Sequence, residues 1–147
     1  QRDVIVSMAH LNRAAAEAML AVGVHAGTDI TGFGLAGHAR EMALGGGCAC
    51  EIELAAVPVW PKVVEYAEAM VRPGRTADVV SFLDPLVDWG AAGFTWKGIL
   101  ADPQTSGGLM MAVAPETADA LVAALVARGE EAAVVGRMVE AGTIRVV

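Results

Sequence analysis

Seven residues, Thr28-Asp29-Ile30-Thr31-Gly32-Phe33-Gly34, gather a carboxylate, two hydroxyls and two glycines where an apolar stretch gives way to a helical pattern. That order reads strand, tight turn, helix start. The turn offers free backbone N–H groups, which suit a phosphate. Asp29 beside it suits a Mg²⁺ that phosphates share, since Mg²⁺ prefers oxygen ligands and takes one or two carboxylates. A purely structural role fits as well. Asp or Thr ahead of a helix caps it, and glycine eases any tight turn. Residue types and spacing leave both open.

A second glycine motif is Asp102-Pro103-Gln104-Thr105-Ser106-Gly107-Gly108. It joins the apolar stretches Ile99–Ala101 and Leu109–Val113. It either supports a ligand-facing surface or only fixes a turn, because Asp-Pro and Gly-Gly are turn chemistry in their own right. His10, His25 and His38 make no zinc pattern and read as structural or surface residues. Cys48 and Cys50 would share one face of a strand, and a bridge between them would close a strained ring. They read as small buried side chains. Trp60, Trp89 and Trp96 read as core or interface aromatics, and Glu130 and Glu131 as a solvated face.

The elements that must carry these residues follow from periodicity. Ser7 caps a first helix whose buried face is Met8, Leu11, Ala15, Ala18, Met19 and Val22, ending at Gly23. Asn12, Arg13 and Glu17 fall on other faces, with no chemistry assignable. Val24–Ile30 is a strand and Phe33–Leu44 a second helix, stopped by Gly45-Gly46-Gly47. Cys48–Leu54 alternates like a half-buried strand. A third helix runs from Pro61 to about Met70. Val71–Gly98 reads as a loop with short helical pieces, and Trp96–Leu100 as a strand. A fourth helix runs from Pro115 to Gly129, and strands at Ala132–Val139 and Thr143–Val147 close the chain as a hairpin-like pair. The fold class is α+β, a mixed sheet packed with about four helices.

Composition narrows the function. At 147 residues the chain is one domain by length. Its formal charge is −7 with only two lysines, Lys62 and Lys97. No basic stripe exists, so nucleic acid is not an expected partner. Hydrophobic residues make up 55% of the chain, yet no run reaches the roughly 18 needed to span a bilayer. No secretory leader is visible. The chain opens at Gln1, not Met, so the first residues of a longer protein are expected to be missing.

The segments GTDITGFGLAGHAREMA (Gly27–Ala43) and ADPQTSGGLMMAV (Ala101–Val113) together resemble the C-terminal domain of selenophosphate synthetase (selenide, water dikinase). The lead-in LNRAAAEAMLAVGVHA and the tail EEAAVVGRMVEAGTIRV are similar to the same family, so the likeness covers nearly the whole chain. The TDITGFG element is shared with aminoimidazole ribonucleotide synthetase, thiamine monophosphate kinase and a hydrogenase-maturation protein. DPQTSGGL is more particular to the selenophosphate branch.

The resemblance implies an aminoimidazole ribonucleotide synthetase C-terminal-like fold over residues 1–147. It implies a cytoplasmic enzyme making selenophosphate, AMP and phosphate from ATP and selenide, with Mg²⁺ and a monovalent cation such as K⁺. In this family an N-terminal domain carries the catalytic cysteine or selenocysteine, further metal-binding aspartates and the homodimer contacts. Neither Cys48 nor Cys50 matches that nucleophile, so no catalytic residue is expected here, and the chain alone is expected to be inactive. By position, Asp29 corresponds to the metal-binding aspartate of this domain. Thr31 sits beside it for a metal-bound water or phosphate oxygen, and Gly32 and Gly34 permit close backbone approach. His38 matches a family histidine, read as packing or docking. The Pro73-Gly74-Arg75-Thr76 segment departs from the family's Pro-Gly-Gly-Thr turn, so contacts made there do not carry over. Two rival readings are another ATP-using member of the superfamily and a non-catalytic binding domain.

Overall fold

A computed structural model describes residues 2–147. Its architecture is α+β, with seven α-helices and two sheets among the described residues. Where periodicity predicts one helix from Ser7 to Val22, two form: α1 (Arg2–Ala9) and α2 (Arg13–Val22). Ser7 lies inside α1 and caps nothing. The break has a cause at Asn12, whose side-chain amide donates to the Gly107 carbonyl at 3.0 Å while its own carbonyl accepts from Ala16 N–H. Gly23 ends α2 with a positive φ of 83°, its N–H returning to the Met19 carbonyl.

Strand β1 (Ala26–Asp29) leads through the first motif into α3 (Gly34–Gly45). Strand β2 (Ala49–Ile52), α4 (Val63–Glu68), α5 (Thr76–Leu83) and β3 (Val87–Asp88) follow. Residues 94–100, expected in part as a strand, form helix α6 (Phe94–Leu100). Its buried residues, Gly98 and Leu100, lie two apart, a spacing that suits one face of a strand and does not by itself mark a helix. Strand β4 (Leu109–Ala112), α7 (Ala118–Val126), β5 (Gly136–Val139) and β6 (Ile144–Val146) complete the chain.

The last two strands do not form the expected hairpin. The larger sheet has the order β3-β6-β2-β5, so β2 separates them. It pairs antiparallel with β5 and parallel with β6. Both edges of β2 need hydrogen-bond partners, because its residues Ala49, Cys50 and Ile52 are buried. Across its open face runs an ion-pair chain: Asp88 to Arg145, Arg145 to Glu51, and Glu51 to Arg137, the last at 2.6 Å.

The second sheet is a two-stranded ribbon of β1 and β4. Successive β4 side chains serve different cores, as strand alternation requires. Met110 packs on the main core, which contains Ala39 of α3, Ile52 of β2, Leu83 of α5 and Leu100 of α6. Leu109 and Met111 pack on a smaller core built from Ala15, Ala18, Leu121 and Leu125 of α2 and α7. The ribbon is therefore held between two apolar layers.

Candidate functional site

The ribbon joins the two glycine motifs. Antiparallel pairing sets Thr28 opposite Met110 and Asp29 opposite Leu109. The ladder continues past the strand end, with Ile30 N–H donating to the Gly108 carbonyl at 2.9 Å and Gln104 N–H to the Thr31 carbonyl at 3.0 Å. Ser106 Oγ donates to the Met8 carbonyl, so the second motif also binds the start of the chain. Two glycines permit this proximity. Gly34 has φ +66°, and a Cβ there would lie 2.7 Å from the Leu100 carbonyl oxygen and the Ala101 carbonyl carbon. A Cβ on Gly107 would lie 2.3 Å from the Ile30 carbonyl oxygen. The close approach that Gly34 permits is thus to the chain's own backbone at the end of α6, where the second motif begins. At Gly32 a Cβ would meet nothing within 4 Å.

The capping alternative for the first motif is not realised. The residue before α3 is Phe33, and no side chain caps that helix. Thr31 Oγ1 instead lies 3.0 Å from His38 Nε2, one face of α3 having carried the imidazole back over the turn. His38 Nδ1 lies 3.3 Å from Glu41 Oε2, one helical turn further on. His38 is 7% exposed, so its ring is held inside the fold. The Phe33 ring meets it edge-on at 6.4 Å and leans on Phe82 at 5.6 Å. Sequence pattern gives His38 a packing or docking role and does not join it to Thr31. The available signal was the His38-Glu41 spacing on a helix that starts beside Thr31.

Asp29 is exposed at the end of β1. Its side-chain face of the ribbon is the Leu109 face, opposite that of Thr28. On the Thr28 side an open cleft of about 310 Å³ is lined by His25, Thr28, His38, Glu41, Met42 and neighbouring backbone. Asp29 is not part of that lining. Among the described residues no group of three or more His, Cys, Asp or Glu is placed to hold a metal ion. An exposed lone carboxylate with a hydroxyl two residues away fits a Mg²⁺ only as part of a site, which suits an ion that keeps several waters and binds few protein oxygens.

Other candidates fall away from this centre. Asp102 is half-buried, and burial raises its carboxyl above the usual range while a hydrogen bond from Gln104 opposes that. Burial, with Cys48 and Glu51 nearby, pushes the Cys50 thiol up to about 11, so it is a poor nucleophile at neutral pH. Both cysteines are free. Glu130, expected on a solvated face, pairs with His10 at 2.9 Å, its side chain only 12% exposed. Trp89 is a core residue, with Lys97 Nζ 5.3 Å from its ring centre. No described helix is long and apolar enough to cross a membrane.

Residues 2–147 match the family of the AIR synthase related protein, C-terminal domain, and the chain belongs to that family. Within it, the chain is 49% identical to a selenide, water dikinase of Pelobacter propionicus, over 98% of this chain and 42% of the relative. It is 44% identical to a selenide, water dikinase of Carboxydothermus hydrogenoformans, over 92% of this chain and 39% of that protein. The chain therefore spans about two fifths of the length of these relatives. The crystal structure of HypE, a hydrogenase maturation protein of E. coli, superposes with a TM-score of 0.70 at 24% identity, over 95% of this chain and 37% of HypE. That likeness carries the fold alone.

Proposed function

We propose that this chain is the C-terminal, ATP-contacting domain of a cytoplasmic selenide, water dikinase. The name given to its relatives describes two phosphoryl acceptors, selenide and water. Of the three phosphorus atoms of ATP, one stays in AMP, one passes to selenium, and one passes to water as orthophosphate. Phosphoryl transfer asks the protein mainly for positioning and charge neutralisation. Mg²⁺, when bound, supplies part of that neutralisation, and K⁺ is a further candidate cofactor. Asp29 would hold the metal side, with Thr31 and the backbone at Gly32 and Gly34 shaping the turn beside it.

The observation that carries this reading is the exposed Asp29 carboxylate on a strand whose partner strand follows directly on the second motif, Asp102–Gly108. That second motif also favours selenide over the acceptors of related enzymes. A single carboxylate is an incomplete site, so an N-terminal domain would supply the other metal ligands, the nucleophile and the homodimer contacts. Apolar residues of α1, among them Ile5 at 66% and Val6 at 63% exposure, suit burial against such a domain. The test is ³¹P NMR of ATP and selenide with the intact protein and with residues 1–147 alone. The intact protein is expected to yield selenophosphate, AMP and phosphate, and the 147-residue chain none. Turnover by the chain alone would refute the division of the site.

A further inference from the structure

One polar arrangement is left unused by the proposed function: a line from Thr31 through the buried His38 ring to Glu41, whose side chain is exposed at the surface. We propose that His38 is a positioning residue that fixes Thr31 as a hydrogen-bond acceptor, so that Thr31 receives a proton from a metal-bound water and does not donate to a phosphate oxygen. This rests on the reading of Asp29 given above.

An ionised carboxylate only accepts hydrogen bonds, so a neutral imidazole that pairs with Glu41 Oε2 at 3.3 Å does so with its proton on Nδ1. In the neutral ring Nε2 then carries a lone pair. Thr31 Oγ1, 3.0 Å from Nε2, must donate its only proton there. What remains on Oγ1 is lone pairs. Phosphate oxygens at neutral pH are acceptors as well, so the two cannot pair. A water polarised by a divalent cation is a strong donor, and Asp29 two residues earlier is the carboxylate proposed to hold that cation. The ring cannot easily turn to reverse the roles. It is 7% exposed and meets the Phe33 ring edge-on, and its helix is seated by the backbone contact at Gly34. Carboxylate–histidine pairs that orient a group next to a metal are a recurring arrangement, and breaking them costs about 10–100-fold in affinity or activity.

Two measurements test this. In the 147-residue chain, long-range ¹H–¹⁵N NMR of the neutral His38 ring should find the proton on Nδ1. An Nε2–H tautomer would overturn the proposal whatever the kinetics. In the intact protein, His38→Leu should raise the Mg²⁺ concentration for half-maximal turnover about 10-fold or more. The KM for ATP should stay within about twofold, since substrate binding is not removed. His38→Gln, which offers an amide oxygen to Thr31, should recover most of the loss. Thr31→Val should show the same Mg²⁺ shift, and the double variant no more than either single one. A folded His38→Leu protein with an unchanged Mg²⁺ requirement would overturn the positioning role, while loss of activity in Asp29→Asn would leave the broader reading intact. Full activity in Asp29→Asn would instead remove that reading, and this one with it. If His38→Leu does not fold, the tautomer and the Thr31→Val titration decide.

Discussion

The contact at Gly34 gives the sharpest stability prediction. Gly34→Ala places a Cβ 2.7–2.8 Å from three backbone atoms: Leu100 O, Ala101 C and Asp102 N. None is the free end of a side chain, so relief requires moving the backbone where α6 runs into the second motif. A non-glycine residue at φ +66° also adds roughly 1 kcal/mol or more of conformational cost. Overpacking adds about 1–3 kcal/mol. Together these come to ~2–4 kcal/mol, or about 5–15 °C in Tm for a domain of this size. Urea and thermal unfolding of Gly34→Ala beside Gly32→Ala provide the assay. A Cβ at Gly32 meets open space, so that variant should stay within about 0.5 kcal/mol of wild type. Equal, small effects of the two substitutions would refute the packing of the motifs against one another.

Two further outcomes follow from the larger sheet. Glu51 accepts from Arg137 at 2.6–2.7 Å and faces Arg145 at 3.5 Å, so Glu51→Gln should cost about 1–2 kcal/mol in urea unfolding, and Arg137→Ala less, its side chain being 75% exposed. Burial, then Cys48 and Glu51, pushes the Cys50 thiol from 9.0 to about 11; the unfolded chain therefore releases that proton first, and stability should hold below pH 9 and fall as pH rises towards 11. Cys50→Ala should flatten that decline in the urea midpoint, and an unchanged slope would rule out Cys50 as its source.

Much of this fold was legible in residue pattern. Gly23 and the glycine run 45–47 ended their helices where expected, because a stop needs only local backbone freedom. The split of the first helix was not legible, since it depends on Asn12 reaching Gly107, a partner far away in sequence. Nor was the placement of β6, which pairs with β2 on the edge away from β5. Local turn signals at Gly142 suit a hairpin, but tertiary pairing decides. The short α6 carried an apolar run that reads equally as a strand. At the site, Asp29 and Thr31 were visible as residue types, and the pairing of the two motifs set Asp29 opposite Leu109 and Thr31 against Gln104. The line from Thr31 through His38 to Glu41 was hidden because it joins a loop to a helix side by three-dimensional reach.

The proposed role of Asp29 is that its exposed carboxylate is this chain's contribution to a Mg²⁺–ATP site completed by another domain. Asp29→Asn in the intact protein tests it most directly, with selenophosphate followed by ³¹P NMR across a Mg²⁺ series. Turnover should fall by about 100-fold or more at unchanged Tm, the outcome expected if the exposed carboxylate holds a metal in the transition state and supports none of the fold. Wild-type turnover with a wild-type Mg²⁺ requirement would contradict it.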